Sequence, residues 1–277
     1  MWKIDKPELR RARGKDVTEV IAHCKELDET VREPLKQLYQ EYDKQEGYVT
    51  DAQLGAITEE QANAIHDMYS NTYEGRSLAY MRDELTAEVY KCPYCSINQP
   101  NTLDHYMPES IYPALAICRM NLVPMCGVCN DYKGTKPYRK FIHCYYEKLP
   151  VTGPFLLASV YAVRQRFVVR FSFDSRVIAD AVLEAKLKYQ DNETRLFKRL
   201  RKEATVFIHT LCCDCEQNDT ASLKLWLGRR LMDKENEFGK NDWRCAVIRG
   251  MLAYPKLDIA QMKYNKMNPK RVNSGGE

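Results

Sequence analysis

The feature that most constrains this chain is a pair of Cys-x-x-Cys knuckles with thirty residues between them: Cys92 and Cys95 in "KCPYCS", Cys126 and Cys129 in "PMCGVCN". Each spacing closes a tight turn that aims two sulfurs at one point. Together four thiolates satisfy a tetrahedral Zn²⁺. Eleven cysteines, an odd number, fit poorly with a full disulfide framework. The opening "MWKIDKPELRR" lacks the apolar core of a signal peptide, and no apolar run approaches the length of a membrane span. The expectation is a cytoplasmic protein that stays out of membranes, where disulfides are rare and regularly spaced cysteines bind metal. A four-cysteine site is closed, so this zinc is expected to be structural, a staple for a segment with little apolar content.

Around the knuckles the chain is an ordinary globular sequence. It has 277 residues, 44% of them hydrophobic and 29% charged, which supports a real core. The net charge is only +4, so nucleic-acid binding would need local clusters such as "KPELRRARGK", "KLKYQDNETRLFKRLRK" and "KYNKMNPKR". Each of these reads equally well as a solvated helix face or tail. Apolar residues at helical spacing (Val17, Val20, Ile21, Cys24, Leu27, Val31) predict helix over 16–46, with Pro34 restarting it before Leu35, Leu38 and Tyr39. A second helix is predicted from Thr58, where "TEEQ" has the form of a capping box, to Asn71, and a third over 77–89. Residues 91–147 are turn-rich and predict short strands with one short helix. Beyond Pro150, Phe167, Val169, Phe171 and Phe173 alternate with other residues, predicting a strand over 166–173 that pairs with 155–163 across "RQR". Helices are predicted over 178–212, 219–236 and 242–253, and "NSGGE" reads as a frayed tail. The chain is therefore expected to be α+β and mainly helical, in three parts: a helical region over 1–88, a zinc unit over 89–147, and a β-hairpin with C-terminal helices over 148–277.

The chemistry-bearing residues lie between and just after the knuckles. Leu103 precedes Asp104 and His105, as if a strand delivered that pair to one edge of the unit. Asn121 follows, then Asn130 directly after the last cysteine, then Lys133 and Lys136. A carboxylate, an imidazole, two amides and two cations are the parts that phosphodiester hydrolysis needs. A neutral imidazole deprotonates water, a hard divalent cation on oxygen ligands stabilises charge at phosphorus, and lysines anchor flanking phosphates.

The run "LDHYMPES…NLVPMCGVCNDYKGTKP" resembles the motif of the HNH (His-Me finger) endonucleases, zinc-containing branch, over about 92–136. The resemblance implies an embedded, zinc-stabilised ββα-metal finger clasping one divalent ion, Mg²⁺ or Mn²⁺. It implies catalytic roles for His105 as general base, for Asp104 and Asn130 as ligands of that ion, and for Asn121 as the amide that fixes the loop. Lys133 falls where a phosphate-contacting cation is common, and Lys136 and His143 join it as expected nucleic-acid contacts. Two departures stand out: the third motif position is Asn rather than His, and "SIYPALA" replaces a Gly-rich turn. The extension "KPYRKFIHCYYEKLP" is similar to defence-associated HNH proteins, the PtuB-like nucleases of the bacterial Septu anti-phage system. That wider resemblance implies a PtuA-type ATPase as partner.

The function expected is endonucleolytic cleavage of nucleic acid, DNA foremost, with RNA such as transfer RNA as one alternative. A non-catalytic zinc module that binds nucleic acid or a partner is the other. His143 reads equally as part of an aromatic cluster. His23, His66 and His209 read as ordinary helical residues, Cys118 as a core thiol, and Cys212, Cys213 and Cys215 as reduced and structural.

Overall fold

The computed structural model describes residues 3–7 and 15–268. The tail "NSGGE" and part of both terminal basic clusters fall outside the described residues. The chain mixes helices with two small antiparallel hairpins and divides into two compact units, one ending at Lys148 and the other running from Leu149. The predicted helical region over 1–88 and the zinc segment thus belong to one compact body.

In that first unit the elements are α1 (Lys15–His23), α2 (Arg32–Lys44), α3 (Asp51–Leu54), α4 (Glu59–Met68), α5 (Ala79–Thr86), β1 (Thr102–His105), β2 (Leu122–Met125) and α6 (Gly127–Lys133). The apolar periodicity of the start is fully buried, from Val17 through Val31, Leu35 and Leu38. Yet 16–46 is two α-helices with a 3₁₀ turn at Glu29–Val31 between them. Pro34 sits in the first turn of α2, where its missing N–H has no helical partner to lose. α4 opens on the expected capping box, the Thr58 hydroxyl accepting from Gln61 N and the Gln61 amide oxygen from Thr58 N. Strands β1 and β2 pair antiparallel with His105 opposite Leu122 and Asp104 opposite Val123, and α6 packs back on β1. Helices α2, α4 and α5 pack around the irregular loop and β2.

The second unit contains β3 (Leu156–Val163), β4 (Arg166–Phe173), α7 (Ser175–Ile178), α8 (Ala181–Thr194), α9 (Leu196–Asp214), α10 (Thr220–Phe238), α11 (Trp243–Ala253) and α12 (Ile259–Met267). The hairpin turns on Arg164 and Gln165, both at positive φ, the geometry a tight two-residue turn demands. The helix predicted over 178–212 is three helices, broken by the left-handed residues Ala179 and Arg195. Charged and apolar residues run across both breaks, so periodicity gave no sign of them. α11 packs on β3 closely enough that a Cβ on Gly250 would stand 2.2 Å from the Ala158 carbonyl oxygen.

Candidate metal centre and cleft

The four knuckle cysteines meet. The sulfurs of Cys92, Cys95, Cys126 and Cys129 all lie within 4.8 Å of one another and are buried. Local backbone explains how. In the first knuckle Cys95 N and Ser96 N both bond the Cys92 carbonyl, Ser96 takes a positive φ, and Ile97 N donates to the Cys95 sulfur at 3.4 Å. In the second, Cys126 is the N-cap of α6 and Cys129 lies in its first turn. Hydrogen bonds from the Cys129, Cys92 and Cys95 thiols draw Cys126 far below the ordinary thiol range, and the same bond pushes Cys129 up. A buried sulfur cluster this close fits a structural Zn²⁺. Among the described residues it is the one group of His, Cys, Asp or Glu near enough to hold a metal. Cys212 instead contacts the Met262 sulfur, and Cys213 lies 3.3 Å from His209 Nδ1.

Zinc would tie the first knuckle to the start of α6, and the strands between them carry the other candidates. Asp104 and His105 end β1, only 3% and 8% exposed, and both line a cleft of about 430 Å³. Asn130 from α6 lines the same cleft, with its Nδ2 donating to Thr102 Oγ1. That bond leaves the Asn130 amide oxygen as the group offered to a ligand.

His105 Nε2 lies 2.8 Å from the Ala116 carbonyl, an acceptor, so the proton sits on Nε2 and Nδ1 keeps its lone pair. Burial holds this imidazole down to a pKa of about 4, keeping it neutral, with Lys133, His66 and Arg82 adding to the effect. The Tyr69 ring meets it edge-on at 4.5 Å, and the Tyr69 hydroxyl donates to the Leu103 carbonyl.

Asn121 is wholly buried and fully bonded. Its Oδ1 accepts from Met107 N at 2.7 Å and from the Tyr42 hydroxyl, while Nδ2 donates to the carbonyls of Met107 and Leu115. One side chain therefore latches both ends of the 106–120 loop. It pins Leu115, whose neighbour Ala116 orients the histidine.

Lys133 is placed differently from the outward-facing cation expected. It is 1% exposed, and its ammonium donates to the His105 carbonyl at 2.8 Å and to Asp104 Oδ1 at 3.2 Å. The α6 turn that carries it faces inward, so it neutralises Asp104 rather than reaching the surface. Burial still raises Asp104 to a pKa of about 6 against the pull of Lys133. Asp104 Oδ2 is buried without a hydrogen bond of good geometry, although Lys133 lies 3.0 Å away. A carboxylate and an amide lining one cleft are oxygen ligands of the kind a hard cation takes, though here Lys133 already occupies the Asp104 side. His143 is also placed elsewhere. It is 3% exposed among Tyr42, Tyr106, Tyr145 and Tyr146, with Nε2 at 3.2 Å from the Tyr42 hydroxyl. Gly47, at φ +93°, closes the other side, and a Cβ there would stand 2.5 Å from the imidazole. Lys136 is half-buried and donates to the Tyr132 carbonyl at the end of α6.

Sequence reasoning missed the other wall of the cleft. Tyr69, Tyr73, Arg82 and Glu109 line it, and three of the four come from the N-terminal helical region. Arg82 bonds the Thr72 carbonyl and lies against the Tyr73 ring. Nothing in their local spacing marks these residues, since they meet the motif only through tertiary packing. No helix among the described residues is long and apolar enough to cross a membrane. No family model, curated protein or solved structure matches the chain.

Proposed function

We propose that this protein is a metal-dependent endonuclease of the HNH type, cutting phosphodiester bonds in nucleic acid, with DNA the first substrate to test. One observation carries the reading: at the end of β1, His105 offers a neutral ring with its proton committed to the Ala116 carbonyl, in the cleft that Asp104 and Asn130 also line. In this mechanism His105 Nδ1 takes a proton from a water molecule as that oxygen attacks phosphorus. The bond to the leaving oxygen breaks, and the alkoxide is protonated from solvent. Asp104 and Asn130 would hold Mg²⁺ or Mn²⁺, which supplies charge stabilisation at the phosphoryl oxygens and the leaving group. Asn121 keeps the loop and the histidine in register. The four cysteines hold zinc away from this chemistry. The resemblance to PtuB-like proteins supports a role in an anti-phage complex, in which a PtuA-type ATPase would be the controlling partner.

The test is nicking of plasmid DNA and of transfer RNA with Mg²⁺ or Mn²⁺, alone and with the ATPase co-expressed. His105→Ala should lower the rate by about 10²–10⁴-fold while zinc content and melting stay unchanged. A wild type inert in every arm, or a variant as active as wild type, rejects the reading. The buried Asp104–Lys133 pair favours the alternative, a non-catalytic zinc module, because it already compensates the carboxylate. Under that alternative, binding of nucleic acid or partner survives His105→Ala and no cleavage is ever seen.

A further inference from the structure

We propose that Glu109 is a positioning residue for His105, its carboxylate held against the ring nitrogen Nε2 beside the Ala116 carbonyl; this rests on the nuclease reading. The ring is buried, its Nε2 faces the Ala116 carbonyl, and the nearby carboxylate Asp104 is already paired with Lys133. A histidine that must become a cation during turnover needs an anion within reach. Glu109 meets that need, its Oε2 lying 3.2 Å from His105 Nε2. That oxygen is buried and makes no hydrogen bond, because the Nε2 proton points at the Ala116 carbonyl. It is therefore held beside the ring rather than spent on a neighbour. His66 of α4 stands 3.9 Å from the same oxygen, so the helical wall brackets the carboxylate from its solvent side.

The arrangement parallels the carboxylate behind the histidine of a Ser-His-Asp triad, which orients the ring and stabilises the imidazolium without itself taking the proton. In the step proposed here, the water O–H bond breaks, Nδ1–H forms, and the Nε2 proton stays on the ring, bonded to the Ala116 carbonyl with the Glu109 carboxylate 3.2 Å from Nε2. The role explains why Glu109 is kept half-buried at the rim of the cleft despite the cost of desolvating it.

The experiment compares wild type, Glu109→Gln and Glu109→Asp, each with zinc content and melting curve recorded. Glu109→Gln keeps size and polarity but removes the charge. It should reduce kcat by about 10-fold or more with KM unchanged, since the matching acid-to-amide change in a Ser-His-Asp triad costs about 10⁴-fold. Glu109→Asp should recover part of that loss. The Nε2-bound proton of His105, followed by NMR on histidine-labelled protein, should move upfield in Glu109→Gln, which a remote structural role would not produce. An unmoved proton resonance, or a wild-type kcat in Glu109→Gln, overturns the inference while leaving the nuclease reading in place. If wild type does not cut but the resonance moves, the nuclease reading falls and the coupling of Glu109 to His105 stands.

Discussion

The two units of this molecule are built from different aromatic residues. Fourteen of the eighteen tyrosines precede residue 149, whereas seven of the eight phenylalanines follow it. The division follows the backbone. From Leu149 on, a long hairpin and six helices pair most of their N–H and C=O groups within themselves, with the Asn241 and Asn265 side chains bonding the hairpin's ends, so the core can be plainly apolar. Around the cleft the chain is short strands, turns and 3₁₀ pieces that leave carbonyls over. Five phenols answer them: Tyr39 bonds Ala114, Tyr69 bonds Leu103, Tyr94 bonds Ile142, Tyr106 bonds Phe141 and Tyr145 bonds Leu122. Tyrosine here fills volume and closes the hydrogen-bond account of an irregular chain.

The largest break in that comparison should come from the zinc. Structural zinc contributes about 10–16 kcal/mol to small metal-folded modules, as much as the whole stability of a domain, about 5–15 kcal/mol. Cys126→Ser, or a strong chelator, should therefore unfold the unit that ends at Lys148. The hairpin and helices beyond it should keep their hydrogen-exchange protection. Elemental analysis should find one zinc per wild-type chain, and exchange mapped by mass spectrometry should show the loss confined to the first unit. Uniform protection after zinc removal would show that the sulfur cluster is not what holds the cleft.

Next in size is Asn121→Ala. It strands Met107 N, takes a donor from each of two buried carbonyls, and leaves the Tyr42 hydroxyl with His143 Nε2 as its partner. We expect a loss of about 3–5 kcal/mol, read from urea denaturation of the zinc-loaded protein. A loss under 1 kcal/mol would mean the 106–120 loop holds itself.

The corresponding weak point of the second unit is Gly250. Its α-carbon faces the Ala158 carbonyl and the Val160 side chain, and a methyl group there would meet atoms at 2.2 and 2.9 Å. Gly250→Ala should push α11 off β3 at a cost of about 1–3 kcal/mol. The exchange loss should be confined to residues beyond Leu149, the mirror image of the zinc experiment.

How much of this was legible in the sequence also differs between the units. The cysteine spacing pointed to the sulfur cluster because tight turns are local, and the Phe167–Phe173 alternation pointed to a strand for the same reason. The boundaries failed where a single left-handed residue decides them, as at Ala179 and Arg195, since both residue types are compatible with helix. At the cleft, Asp104, His105 and Asn130 could be read as neighbours from their motif. Lys133 could not be placed, because its direction depends on which face of α6 meets β1. Glu109, Tyr69 and Arg82 had no local signal at all. Their place is set by the packing of α4 and α5 around the loop.

Tyr94→Phe is the smallest test and the most direct one of the tyrosine argument. Tyr94 is 1% exposed, sits between the first two knuckle cysteines, and donates to the Ile142 carbonyl at 2.8 Å. Removing only its oxygen leaves ring packing against Phe141 intact and takes one donor from a buried carbonyl. The expected cost is about 1–2 kcal/mol, with zinc content unchanged. If tyrosine were chosen there for its ring alone, phenylalanine would be neutral or stabilising, as it should be at a site that makes no hydroxyl bond. A neutral Tyr94→Phe would therefore reduce the contrast between the two units to a difference of composition without a structural cause.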